Sequence, residues 1–430
     1  MKLRSLFLAG LAVMAMASCS NEDDAIVNDK QQVEKSALIQ FQLGFAQSGT
    51  RASVAGTDQV GTADENQISS VIMVLDYPGT NIARQVCNYQ LADFSANDSK
   101  TLYTLKNEEN VAPGNATVTV LVNSNATIGN DTDLSTIESA ATYETSLDAL
   151  TAKNGIAEAG KFLMTGKKSA IIAPNQKNEI TVQVARVAAK LEERSAKTFT
   201  TTDQAYNITL DDYTFMNLNT KTYQMADKGA YASTEEGFFQ HFVANKTQAV
   251  FNESTAIKTI TGAPAEDKVG QITYCMENSV AAAPTTIVYK ATATFTDETH
   301  QTAAAAEGTG NIYKYKGLTY ASFDDLNKID DFQGSLSNAP YNLSKNSTFE
   351  DFIKYGIQLY KGGVCYYTAK IETGTSNYVI TRNNWYKLSV STIATLGNPG
   401  FDTPIPEIKT TLKLSVEVMP WKVWNNGIEL

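Results

Sequence analysis

The chain has 430 residues, 43% of them hydrophobic and 19% charged, with a formal net charge of −11. That is enough apolar material for a large core split into about two domains. The acidic balance argues against nucleic acid or anionic lipid as partner, because both need basic surface to replace released counterions.

In chain order, Lys2 and Arg4 form a basic start, Leu6 to Met16 an apolar run, and Ala17-Ser18-Cys19 places small residues before a cysteine. This is the layout of a secretory signal, too short for a spanning helix. It resembles a bacterial lipoprotein signal in which Cys19 becomes the lipidated first residue, although Met16 stands where such signals usually carry Leu. Ser20-Asn-Glu-Asp-Asp24 is similar to the acidic tag that sends lipoproteins to the outer surface.

Ile39-Gln-Phe41-Gln-Leu43-Gly-Phe45 follows, with Ile39, Phe41, Leu43 and Phe45 at a strict period of two, the pattern of a half-buried strand. Thr50-Arg51-Ala52 lies just beyond it in a small, polar stretch open to proteases, and a trypsin-like cut between Arg51 and Ala52 removes the whole strand. Cuts after Lys30 or Lys35 leave it in place.

Further strands are expected at Ser70–Leu75, Thr117–Val122, Glu179–Val184, Tyr206–Leu210, Thr286–Thr292 and Tyr386–Val390, all rich in Val, Ile, Thr and Tyr. Helices are few. One is expected from a capping-box spacing at Ser135-Thr-Ile-Glu138, continuing to Leu150, with Asp131 and Asp133 reading as cap residues rather than a calcium loop. Cys87, Cys275 and Cys365 each sit in a β-branched or aromatic run and read as buried, inert thiols. A domain boundary is placed near residue 197. Pro399, Pro404 and Pro406 stiffen an extended arm, so that Thr410 to Leu430 reads as a projecting tail.

That tail contains Leu412-Lys-Leu414-Ser-Val416-Glu-Val418, the same four-knob pattern as the first strand, with Trp421 and Val423 placed to anchor its far end. The two end strands therefore read as competitors for one apolar groove. Catalysis is not expected: His241 and His300 have no metal-spaced or cysteine partner, and no phosphate-cradling glycine run occurs. No metal or cofactor is expected either.

Several motifs carry a family resemblance: Val118-Thr-Val-Leu-Val-Asn123, Phe162-Leu-Met-Thr-Gly166, Arg186-Val-Ala-Ala-Lys190, Tyr274-Cys-Met-Glu-Asn278, Arg382-Asn-Asn-Trp-Tyr386 and Ser415-Val-Glu-Val-Met-Pro-Trp-Lys-Val423. With the two ends, they resemble the fimbrillins, the type V pilins of anaerobic Gram-negative bacteria, and most of all the shaft subunit of their short fimbriae. The Pro399 to Glu407 segment is shorter than the Pro-rich stretch of those subunits. The resemblance implies an all-β chain of two β-sandwich (transthyretin-like) domains with few short helices and a C-terminal donor strand. Residues 1–18 would be a signal peptide, 19–51 a propeptide, 52–196 and 197–402 the two domains, and 403–430 the tail. It further implies export as an outer-membrane lipoprotein, cleavage at Arg51 by an Arg-specific protease, and head-to-tail strand exchange with other copies into surface adhesive fimbriae. Anchor and tip subunits, and host or bacterial surface ligands, are the other partners it implies. The competing readings are a monomeric surface lipoprotein that binds glycans through exposed tyrosines, and a fimbrial tip or accessory subunit.

Overall fold

The computed structural model describes residues 35–45, 59–98, 100–142, 148–231, 237–239, 256–265, 268–374, 377–400 and 411–422. The expectations at Cys19, Arg51, Ala52 and Val423 lie outside them.

The first half of the chain forms β1 (Ala37–Phe45), β2 (Gln59–Val60), β3 (Ser70–Asp76), β4 (Gln85–Gln90), β5 (Phe94–Ala96), β6 (Leu102–Leu105), β7 (Glu109–Val111), β8 (Gly114–Val122), β9 (Ala140–Thr142), β10 (Met164–Ile172) and β11 (Lys177–Arg186). All but β2 and β9 join one nine-stranded sheet, in the order β4-β3-β8-β10-β11-β1-β6-β5 with β7 beside β1. Alternation decides which side chains it buries. Val71, Met73 and Leu75 of β3, Val118, Val120 and Val122 of β8, and Ile180, Val182 and Val184 of β11 all enter one core. The intervening Ile72, Val74 and Leu121 are buried too, under Ile128 and Ile137. That is why β3 reads as a continuous apolar run rather than an alternating one.

The second half forms β12 (Ala189–Glu193), β13 (Thr198–Thr200), β14 (Tyr206–Met216), β15 (Lys221–Tyr223), β16 (Lys258–Thr259), β17 (Gln271–Cys275), β18 (Thr286–Phe295), β19 (Ile312–Tyr315), β20 (Leu318–Tyr320), β21 (Gln358–Tyr360), β22 (Val364–Lys370), β23 (Asn384–Ile393) and β24 (Leu412–Lys422). One sheet runs β17-β12-β23-β24-β2 and another β13-β14-β18-β22, with β16 against β14. The second core draws on both, through Leu191 and Leu388 on one side and Ile208, Tyr289 and Tyr367 on the other. The chain passes from the first core to the second between Ala188 and Ala189. The architecture is mostly strand with few short helices.

Two of the quoted motifs meet in this half. Glu277 accepts from Arg382 Nε at 2.8 Å and Nη2 at 2.6 Å, and Arg382 also donates to the carbonyls of Tyr223 and Gln224. Cys87, Cys275 and Cys365 are all buried; Cys275 and Cys365 are the free thiols expected, whereas Cys87 is disulfide-bonded rather than a thiol. Burial pushes the Cys365 thiol up to about 11, which keeps it protonated and unreactive.

One expectation about these elements needs correction, and one unit was not expected. The helix expected from Ser135 to Leu150 is broken into a single turn, Ser135–Glu138, and a second turn at Asp148–Thr151. The N-cap position of the first is Leu134, with no side-chain cap, and Asp133 Oδ1 accepts from the Ser135 N–H at 2.9 Å. Between the two turns the chain becomes β9, because Ala140–Thr142 pairs with β15, and ladder pairing outweighs the amphipathic spacing. Between β18 and β22 the chain inserts a small unit that the sequence reading missed. It contains helices Glu298–Glu307, Phe323–Asn327 and Phe349–Ile353, a three-stranded sheet, and its own core around Tyr313, Phe323, Phe332, Phe349 and Phe352.

Candidate functional site

The two end strands and the contact between the two cores make up the site. β1 lies inside its sheet. Its register with β11 is parallel, from Leu38↔Lys177 to Phe45↔Val184, and its other edge pairs antiparallel with β6 and β7. Ile39, Phe41 and Leu43 are 0% exposed, and Phe41 meets Phe94 edge-on with ring centroids 6.1 Å apart. Phe45, at the end of the row, is half-buried against Tyr103. The opposite face is polar: Gln42 Oε1 accepts from Thr181 Oγ1 at 2.7 Å. Gly44 allows a close approach, since a Cβ there would sit 2.4 Å from Gln183 Nε2. The alternation read from the sequence thus marks a strand built into the core.

β24 was expected to project. Instead it pairs antiparallel with β23 of the same chain, from Ile393↔Leu412 to Asn384↔Pro420. The reason is that β23 would otherwise present an open ladder edge, and the nearest strand-forming segment satisfies it. Leu412, Leu414, Val416 and Val418 are only half-buried, packed on the second core. Lys413 is exposed, whereas Glu417 is half-buried. Beyond Val418 the strand changes character, for Met419 and Trp421 are buried in the first core.

Trp421 is 1% exposed and stacks on Tyr274 with centroids 5.9 Å apart and planes at 13°. Phe162 meets it edge-on, and the Arg186 guanidinium lies 4.4 Å from its ring centroid. Lys190 sits 3.5 Å from the centroid of Trp385. Both cations are buried, and Glu65 answers Lys190 at 2.8 Å. Glu65 is held by α1 (Ala63–Asn66), whose N-cap Thr62 forms a full capping box with it. Its carboxylate also accepts from Tyr274 Oη at 2.5 Å and Trp421 Nε1 at 3.3 Å. Arg186 donates to the Trp421 carbonyl, the Glu65 carbonyl, Asn383 Oδ1 and Asn66 Oδ1.

Burial alone would raise the Glu65 carboxyl, but Lys190 and the hydrogen bonds from Tyr274 and Thr62 hold it below its usual 4.5. Burial lowers the Lys190 ammonium, against the pull of Glu65. Burial also lowers the Arg186 guanidinium to about 10, still cationic at neutral pH. Glu65→Gln leaves Lys190 buried and uncompensated, so it should cost about 3–5 kcal/mol in denaturant unfolding at neutral pH. A carboxyl with a depressed folded pKa stabilises above its unfolded value and loses that contribution as pH falls. The wild type should therefore weaken below pH 4.5 more steeply than the variant.

Sequence reasoning placed Trp421 as an anchor and quoted Arg186-Val-Ala-Ala-Lys190, but it missed Glu65 and the cluster they form. The available signal was two charges four residues apart in the otherwise apolar run Ala185–Leu191. Among the described residues no group of three or more His, Cys, Asp or Glu is placed to hold a metal ion, and no helix is long and apolar enough to cross a membrane.

Residues 358–426 match the family described as major fimbrial subunit protein type IV, fimbrillin, C-terminal. No curated protein matches the chain. Among solved structures, the chain is similar to a fimbrilin (fimA) from Porphyromonas gingivalis W83 at a TM-score of 0.53 and 14% identity, covering 91% of this chain and 99% of that one. Putative cell adhesion proteins from Parabacteroides distasonis ATCC 8503 and Bacteroides eggerthii DSM 20697 each give a TM-score of 0.49. Their identities are 13% and 14%, covering 90% and 92% of this chain and 100% and 98% of theirs.

Proposed function

We propose that this chain, whose residues 358–426 match the fimbrillin C-terminal family and whose fold is similar to that of a fimbrilin, is a fimbrial shaft subunit that polymerises by protease-triggered strand exchange. It is exported as a lipoprotein anchored at Cys19. An Arg-specific, trypsin-like protease cuts between Arg51 and Ala52, and the first strand leaves. Leu412, Leu414, Val416 and Val418 of another copy then enter the place that Ile39, Phe41, Leu43 and Phe45 held, with Trp421 and Val423 at the far end. Anchor and tip subunits end the fibre, which displays adhesive surface to host or bacterial ligands.

The observation that carries the reading is the placement of β1. It is paired on both edges and its apolar row is fully covered from Ile39 to Leu43, so its departure would open two ladder edges and a groove of matching period. Such a groove is a template for another strand. In the register that lays Leu412 where Ile39 was, Glu417 replaces Gly44, and the Gln183 amide must swing aside for it. Fully burying four such side chains is worth roughly 6–12 kcal/mol, at about 1.5–3 kcal/mol each. The tail already half-buries them on β23, so only about half of that favours transfer. Persistence of the fibre is then kinetic, since an inserted strand must break its whole ladder together to leave. Because tail and groove are different surfaces, the contact is head-to-tail and need not close on itself.

Arg51→Ala should leave a stable monomeric precursor that yields no fibres. The measurement is a heat-sensitive ladder on a gel after treatment with trypsin-like protease. Normal ladders from this variant would mean that another cut, or none, is used. A monomeric glycan-binding lipoprotein or a tip subunit would need neither this cut nor a donated tail, so the same gel separates those readings.

A further inference from the structure

We propose that the segment Gln59–Asn66 is a clamp that makes release of the carboxy-terminal strand depend on prior cutting of the amino-terminal one. This rests on the reading that cleavage occurs at Arg51, and it adds an order of events to that reading.

β24 has two neighbours, and they are unequal. β23 runs along almost its whole length, whereas β2 pairs with it only at Gln59↔Trp421 and Val60↔Lys422, in parallel. Those two pairs fall at the end of β24 that is buried most deeply. Immediately after β2, Gly61 lies so close to the indole that a Cβ would stand 2.8 Å from Trp421 Nε1 and 3.0 Å from Glu65 Oε2. Glu65 then accepts from that same indole N–H, and Arg186 ties the Glu65 carbonyl to the Trp421 carbonyl. A single stretch of chain therefore covers Trp421 with backbone, carboxylate and turn. The remainder of β24 is half-exposed and has no described strand on its outer edge.

The clamp is also the continuation of the segment that carries the cut. In the sequence Arg51 lies between Phe45, the end of β1, and Gln59, the start of β2. While the chain is intact, β1 is locked into its sheet and tethers the amino end of β2, keeping a two-residue strand at high effective concentration against β24. Once the bond after Arg51 is hydrolysed, β2 is held only by α1 at its carboxyl end. A two-residue pairing without that tether frays, as short terminal strands do. Trp421 then loses its backbone cover in the same event that frees β1. The intact precursor thus keeps its tail shut, and the groove opens no later than the tail.

Hydrogen exchange read by mass spectrometry tests this on dilute monomers, before any fibre forms. After cutting with trypsin-like protease, exchange of the peptide spanning residues 412–422 should quicken by roughly tenfold, as local opening becomes easier once the β2 pairing frays. Gly61→Ala should quicken the same peptide in the uncut precursor while residues 37–45 stay protected. In Val60→Cys/Lys422→Cys, whose positions face each other in the β2–β24 register, the oxidised and cut protein should exchange slowly and form no fibre until dithiothreitol is added. Equal exchange of residues 412–422 in cut and uncut wild type overturns the clamp, as does equally fast polymerisation of the oxidised pair. A protein that shows the exchange changes yet never forms fibres would instead overturn the shaft reading and leave the clamp standing.

Discussion

Val416→Asp is expected to leave the monomer folded and to abolish fibre growth. In the monomer Val416 faces Leu388 across the ladder and is only half-buried, so a carboxylate there can turn its charge toward water. The cost should be about 1–2 kcal/mol in denaturant unfolding, the range of partial apolar loss at a surface strand. In the fibre the same side chain would occupy a place like that of Leu43, which is 0% exposed. An unpaired carboxylate in such a site costs several kcal/mol, as much as the whole net gain from transferring the tail. The measurement pairs an unfolding curve of the purified precursor with a polymer ladder after protease. A variant that is wild type in both would place Val416 outside the acceptor groove. Lys413→Asp, at an exposed position of the same strand, is the control that should affect neither.

Phe41→Ala should separate precursor from fibre in the opposite sense. Phe41 is wholly buried, edge-on to Phe94, and flanked by Ile39 and Leu43 in the same core. Truncating it leaves a cavity in a strand paired on both sides, and should destabilise the precursor by about 3–5 kcal/mol. Yet if the first strand is discarded on cutting at Arg51, the fibre contains no residue 41. Fibres from the variant should then match the wild type in heat resistance, however weak their precursor was. A fibre as weakened as its precursor would mean that β1 is retained in the polymer.

Much of this was legible in the sequence because strands announce themselves by period. The row Ile39, Phe41, Leu43 needed no partner to be recognised as one face of a strand, and the structure buries that face. Other features were hidden because their cause is distant in the chain. Ser135 to Leu150 has helical spacing, yet Ala140–Thr142 is a strand, since its partner at Lys221–Tyr223 lies about eighty positions away. The inserted unit after β18 was overlooked although Ser322 and Thr348, each followed three positions later by Asp, carry its helix-start signals. Glu65 gave no local hint. It became a buried acid only because Lys190 and Tyr274 approach it from β12 and β17.

The amino-acid sequence by itself determined the strand class, the matching apolar rows at the two ends, and the single arginine whose cutting would remove one row whole. Those are properties of neighbours in the chain, where alternation and residue type suffice. Only the tertiary structure decided that the first row lies between β11 and β6, that the last row is folded back on β23, and that Trp421 is gripped by Gly61, Glu65 and Arg186. Which edge a strand takes depends on which other edges are left unsatisfied, and that is settled by the assembled sheets rather than by any one segment.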